Sequence, residues 1–297
     1  MALHLSYYSY APSLPAAAVA AALYTLVFAA TAVQWIRYRA WVWIVMVLAS
    51  GMEAAGYIAR CLSTQKLDNQ TLYVLQFSLI ILAPVLMAGA CYVVFGRIVY
   101  HVVPTEARTT SLLWISPRWL TPIFVVCDIV ALFLQLVGAV IITSIDIGDP
   151  DAVKKANRGK HIAEIGVAVQ LICFGLFSII AVRFNFTSKR FMGVFHERFN
   201  GVHDDKYFTI GSSRRKFKSH WQAILRVTNF TSVCILIRSV YRMVDFALGR
   251  KGYMETHEWC LYVLDALVIF PVPLLFVWWH PGAYLPYMGF RLPKAGR

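Results

Sequence analysis

The sequence predicts an all-α polytopic membrane protein, a bundle of seven transmembrane helices with the N-terminus outside and the C-terminus in the cytosol. Three observations predict it. Of 297 residues, 59% are hydrophobic and only 14% are charged, against about 45–50% and about 25% in an average soluble domain. Seven apolar segments approach or exceed the roughly 20 residues that a bilayer-crossing helix needs. Basic residues fall unevenly on the two sides of those segments. The composition excludes a disordered chain, a collagen-like chain, a coiled coil and an ordinary soluble domain. A net charge of +13 would suggest nucleic acid in a soluble protein. Here it points to basic loops facing anionic lipid, and no nucleic-acid partner is implied.

The first span, Leu14–Trp35, carries no charge. No Lys or Arg precedes it, so it reads as a retained anchor rather than a cleaved signal peptide, which wants a basic n-region. The second, Ala40–Ile58, contains Glu53. The third and fourth are Leu72–Phe95 and Trp119–Ile142, the latter with Asp128 inside. The fifth is Ile162–Val182. The sixth, Ala223–Leu248, is the most polar, and the seventh, Trp259–Trp279, contains Asp265. The longest loop, residues 183–222, is too short for a domain with its own core. The whole chain, 1–297, therefore reads as one transmembrane domain.

Orientation follows from Lys and Arg placement. The loops after spans one, three and five and the C-terminal tail carry 17 basic residues; the opposite side carries 8. The remaining three, Arg226, Arg238 and Arg242, lie in span six. The third inner loop holds Arg214, Arg215, Lys216 and Lys218. That run is either a topology signal or a patch for anionic lipid headgroups.

Ionisable groups inside spans are costly and usually face a bundle interior or a wet cavity. Glu53, Tyr57 and Arg60 fall at i, i+4 and i+7; so do Arg238, Arg242 and Asp245, and again Glu258, Tyr262 and Asp265. Each set shares one helix face, and lipid cannot solvate such stripes, so they should point at each other. All three lie in the expected outer half of the bilayer, with Gln76, Gln135, Glu164 and Gln170 at outer or middle depth. The set holds five carboxylates (Glu53, Glu164, Asp245, Glu258, Asp265) against three arginines. Asp128 sits deeper and alone. The stripes are either an ion-pair network that fixes helix register or a hydrated pocket open to the outer leaflet. Pro84, Pro122, Pro271 and Pro273 each remove a backbone donor and can kink a span.

No nucleotide-binding glycine pattern occurs, so ATP-driven pumping on this chain alone is not expected. The eight histidines fall in loops, tails or span ends rather than converging in the bundle, so no metal or other cofactor is implied. Four of the six cysteines read as small packing residues. Cys61 and Cys260 share the outer interface, where a disulfide is open. Asn69 begins a glycosylation sequon in an outer loop.

The ordered motifs Tyr8-Ser9-Tyr10-Ala11-Pro12-Ser13, the run Glu53 to Arg60, Leu82-Ala83-Pro84 and the stretch from Cys91-Tyr92 to Gly96-Arg97-Ile98 bring a family resemblance into view. Asp128, Gln135, Gly138, Gly166, Gln170, Arg238-Ser239-Val240-Tyr241-Arg242, Asp245, Gly249, Glu258, Tyr262, Asp265 and His280-Pro281-Gly282 extend it. Over nearly its whole length the chain resembles the fungal RTA-like lipid-translocating exporters. The resemblance implies seven helices, an outside N-terminus, a plasma or internal membrane, export or flipping of sphingoid bases and similar amphiphiles, and a role in resistance to toxic lipids. A sphingoid amine would suit Glu53 and Asp265, and its hydroxyls Gln76, Gln135 and Tyr262. Two rivals stay open: a membrane-embedded lipid hydrolase or terpene cyclase using Glu53 with Asp265 as acid and base, and a seven-helix receptor or lipid sensor.

Overall fold

In the computed structural model, residues 10–67, 69–104, 113–143, 151–191, 193, 207–208, 216–248, 252–286 and 288–289 are described. Seven helices among them are long and apolar enough to cross a membrane, and the chain is an integral membrane protein. Six are α1 (Leu14–Tyr38), α2 (Ile44–Gln65), α3 (Gln70–Val102), α4 (Pro117–Thr143), α5 (Ala152–Thr187) and α6 (Trp221–Leu248). The seventh span, Glu258–Tyr284, is built from shorter pieces. The apolar runs place the helices correctly, but several helices outrun them. α2 continues past Ile58 because Arg60 finds counter-charges inside the bundle. α5 begins ten residues before Ile162, where the polar first turns are held by Lys154–Asp151 and Lys160–Glu164 pairs.

Helix ends follow local chemistry. Pro15 occupies the first turn of α1, where a missing N–H costs nothing. The Asn69 side chain accepts from the Leu72 N–H at 3.2 Å and caps α3, so the sequon asparagine is engaged as a cap. α1 packs on α2, α2 on α3, and α3 on α4 and α6; α4 and α5 form a close pair, α5 meets α6, and the seventh span lies against α1 and α6. α3 is the most enclosed of the spans and α4 the least. α4 and α5 touch backbone to backbone: a Cβ at Gly138 would stand 2.5 Å from the Gly159 carbonyl and 2.7 Å from the Ala163 nitrogen. Small residues permit such approach in membranes. Tyr92, Phe95, Phe124, Phe174, Phe177 and Phe184 cluster where α3, α4 and α5 meet.

The seventh span is not a regular helix. Residues Leu261–Ala266 form a π-helical segment, and a new helix starts at Pro271 and runs to Trp278. Pro271 and Pro273 thus begin a helical piece instead of bending one in its middle. At its end, His280 stacks on Tyr38 at 4.6 Å and accepts from the Gly282 N–H. The connection between α5 and α6 contributes a two-residue antiparallel ladder, β1 (Tyr207–Phe208) with β2 (Phe217–Lys218). Cys61 and Cys260 are both free; the disulfide left open by the sequence does not form. Arg214 and Arg215 lie outside the described residues.

Candidate functional site

The three polar stripes do converge, at the end of the bundle where α1 begins. Arg60 of α2 donates to Glu258 Oε1 at 2.9 Å, to the Tyr262 hydroxyl at 3.0 Å and to the Tyr10 hydroxyl at 2.8 Å. Deeper, Arg238 and Arg242 of α6 both clasp Asp265 of the seventh span, one oxygen each. Arg242 also faces Asp245 at 3.6 Å. Asp265, Arg238 and Arg60 are all buried to within a few per cent of completely. One charge-assisted bond per oxygen is the arrangement that makes a buried ion pair tolerable.

Glu53 completes the cluster from α2. It is 1% exposed, lies within electrostatic reach of Arg238, Asp265 and Arg242, and its Oε1 accepts no hydrogen bond. Tyr57, one turn on, stacks on Tyr24 of α1 at 5.0 Å. Tyr24 donates its hydroxyl to the Ala266 carbonyl at 2.7 Å, beside the π-helical turn that carries Asp265.

Gln76 lines a cavity of about 40 Å³ together with Tyr10, Arg60, Arg242 and Asp245. Gln135 of α4 donates to Gln170 of α5 at 3.0 Å. That pair lines a second cavity, of about 30 Å³, with Pro84, Arg238 and Arg242. Arg242 lines both spaces, so the Arg238–Asp265–Arg242 clasp stands between them. Each is large enough for water and too small for the headgroup of an amphiphile, so the site is closed.

Asp128 stands alone, as its place in the sequence implies: it is buried on α4 beside the Tyr92 hydroxyl and lines neither cavity. One sequence reading needs correction. Glu164 joins no stripe; Lys160 and His161, one turn back on its own helix, hold it. The surplus of acids therefore shrinks. Among the described residues, four carboxylates (Glu53, Asp245, Glu258, Asp265) meet three arginines, and Glu53 is the one without an ion pair.

Sequence reasoning missed three contributors. Tyr10 and Ser13, ahead of α1, close the cluster from above; the Ser13 N–H donates to Glu258 Oε2 at 2.8 Å. Tyr24 sits in a span with no charge to draw attention. The third is a carbonyl. Pro84 has no N–H for the Ile80 C=O four residues earlier, and Arg238 Nη2 donates to that oxygen at 2.7 Å. At the other end the helical piece of the seventh span stops at Trp278, which leaves the Val277 carbonyl without an intrahelical donor, and Gln34 donates to it at 2.7 Å. A proline in a buried span, read as a free acceptor one turn back, is the signal that would have found the Ile80 contact.

Comparisons with known proteins agree with this architecture. The profile of the family described as "RTA1 like protein" matches residues 46–288. The chain is 34% identical over 226 residues to protoporphyrin uptake protein 1 of Saccharomyces cerevisiae, covering 76% of this chain and 62% of that protein. It is 30% identical over 226 residues to protein RTA1 of the same species, covering 76% and 61%. It is 24% identical over 271 residues to the sphingoid long-chain base transporter RSB1, also of Saccharomyces cerevisiae, covering 84% and 66%. The chain thus spans about three fifths of the length of the first of these relatives. No solved structure matches.

Proposed function

The chain belongs to the RTA1-like protein family, and from that premise we propose that it is a membrane transporter or translocase that exports or flips amphiphilic lipids such as sphingoid bases. The N-terminus faces outward, the membrane is the plasma membrane or an internal one, and the physiological result is resistance to toxic amphiphiles. The relative named a sphingoid long-chain base transporter supports the substrate class. One observation carries the reading: four carboxylates share the buried cluster with three arginines, and Glu53 is the acid left over. A long-chain base brings one ammonium and hydroxyls. Its amine neutralises Glu53, Gln76, Tyr262 and the Gln135–Gln170 pair take hydroxyls, and its chain lies between helices. Loading requires the two small cavities to merge, which means parting the clasp of Arg238, Arg242 and Asp265.

The acid–base rival is weakened by the same clasp. Asp265, bonded to two guanidiniums, is not available to exchange protons with a substrate opposite Glu53. A different cargo has one observation in its favour. Arg242 borders both cavities and its Nε has no hydrogen-bond partner, a donor that a carboxylated amphiphile can use. The relative named a protoporphyrin uptake protein fits that cargo.

The test measures binding of a sphingoid base and of an uncharged analogue to the purified chain and to Glu53→Gln. The amide keeps size and hydrogen bonding and deletes charge. Loss of about 1.5–3 kcal/mol for the base alone is expected, the value of a charged hydrogen bond. Equal loss for both ligands makes Glu53 structural. A covalently altered lipid product installs the enzyme reading, and binding without movement of lipid installs the receptor. Tighter binding of a carboxylated amphiphile than of the base installs the second cargo.

A further inference from the structure

A cavity larger than the two beside the clasp lies outside the polar cluster. It lies at the opposite end of the bundle, has a volume of about 290 Å³, and is lined by Arg37, Tyr38, Lys216, Phe217, Lys218 and the Gly282–Ala283 turn. Three features set it apart. Its charged lining is cationic only. Arg37, Lys216 and Lys218 make no ion pair among the described residues; Lys218 merely lies over the Tyr284 ring at 5.4 Å. Its shape is fixed by close packing: a Cβ on Gly282 would meet the Tyr38 Cβ at 2.9 Å and the His280 ring at 3.1 Å. Only glycine lets the last turn seat against the end of α1.

Its depth identifies the neighbourhood. Exposed Trp41, Trp114, Trp119 and Trp278 all lie at this end, the aromatic belt of a membrane–water interface. The cleft therefore opens at headgroup level. Directly above Arg37, the side chains of Ile36, Val33 and Leu26 are well exposed along α1, an apolar track for a chain to lie on. A volume at the lower end of the roughly 300–1,000 Å³ of ligand pockets suits a headgroup, not a whole lipid.

We propose that this cleft binds the phosphate of an anionic phospholipid, with Arg37, Lys216 and Lys218 on the phosphate oxygens and an acyl chain along α1. The site is independent of the cargo site and of what the cargo is. On the positive-inside asymmetry it faces the cytosolic leaflet, where anionic lipid is concentrated.

The test is native mass spectrometry of the purified full chain in neutral detergent, titrated with phosphatidic acid, phosphatidylcholine or inorganic phosphate. The wild type should retain phosphatidic acid at least about tenfold better than phosphatidylcholine, and inorganic phosphate should not displace it. Lys216→Glu with Lys218→Glu should lower phosphatidic acid binding by about tenfold or more, since each cation near an anionic lipid is worth roughly fivefold. Lys66→Glu with Arg158→Glu, the same charge change at the other end, should leave binding unchanged. Thermal stability without lipid should match wild type in both variants, because all four side chains are exposed. Equal retention of both lipids, or an equal effect of both double variants, overturns the site. Displacement by inorganic phosphate overturns the lipid as its occupant.

Discussion

Arg238 occupies the carbonyl of Ile80, the acceptor that Pro84 strands one turn further along α3. An arginine of the sixth span is thereby fixed by a proline of the third, before any carboxylate is considered. The guanidinium then has two remaining directions, and Asp265 takes one of them. The clasp at the centre of the cluster is positioned by a backbone defect.

This coupling is measurable. Pro84→Ala restores the N–H that Ile80 lacks, so the carbonyl no longer depends on Arg238. Arg238→Met should cost less in the Pro84→Ala background than in wild type, by about 0.5–1.5 kcal/mol, the net worth of one hydrogen bond. Unfolding of the four proteins of that cycle in detergent reads the difference. Strict additivity would show that Arg238 and Pro84 act separately.

The two fully buried carboxylates of the cluster, Glu53 and Asp265, should respond in opposite ways to loss of charge. Asp265→Asn leaves two guanidiniums facing an amide and should destabilise by about 3–5 kcal/mol. Glu53→Gln removes an acid with no ion pair and should leave stability equal or higher. Folded yield and melting temperature in the same detergent check both. A larger loss at Glu53 than at Asp265 would reverse the roles given to them here.

The described residues before α1 are bonded to the cluster from Arg60 to Tyr10 and from Ser13 to Glu258. Tyr10→Phe should cost only about 0.5–1.5 kcal/mol. Glu258→Gln, which also weakens the grip on Arg60, should cost more. Limited proteolysis of detergent-solubilised protein should cut ahead of α1 faster in Glu258→Gln than in Tyr10→Phe, and both faster than in wild type. Unchanged cleavage would mean that the segment is held by other contacts.

Gly138 tests the packing of α4 on α5. Any Cβ there collides with backbone, not with a flexible side chain, so the helices must separate. Gly138→Val should destabilise by about 1–3 kcal/mol, the usual penalty of overpacking. Gly175, with nothing within 4 Å of an added Cβ, is the control. Its alanine variant should be at least as stable as wild type, because alanine favours the helix.

Orientation rests on the 17 to 8 basic asymmetry. A tag after Arg297 should be protected from protease added to intact cells, and a tag before Leu14 should be cut. The reverse pattern would turn the cargo site toward the cytosol.

Much of this was legible in the sequence, for physical reasons that also explain the gaps. Spans are set by composition, and composition is local. The i, i+4, i+7 spacing of Glu53, Tyr57 and Arg60 fixes a shared face before any packing is known, as it does for Arg238, Arg242 and Asp245. Which acid meets which arginine depends on rotation and depth of neighbouring helices, and nothing local encodes that Asp265 takes two. Glu164 was misassigned although its partners lie three and four residues away; the local pair simply wins over a distant one. Helix ends were drawn too short at Arg60 because hydropathy scores charge without asking whether it is paired. The π-helical turn at Leu261–Ala266 has no hydropathy signal at all.

The order in which the pairs become available has a consequence for how the chain is made. Arg60 precedes Glu258 by 198 residues, and at about 5–20 residues per second that is a wait of about 10–40 seconds. Arg238 and Arg242 likewise enter the membrane on the span before the one that carries Asp265. Until the last span arrives, Arg60 and Arg238 sit in a nascent bundle without their ion-pair partners and Arg242 has only Asp245 of its own helix, each buried charge at an insertion cost of about 2.5–3.5 kcal/mol. The final span is thus a completion signal. A ribosome that stalls or terminates before it leaves an intermediate marked by naked positive charge inside the bilayer, the kind of lesion that membrane quality control can recognise and remove.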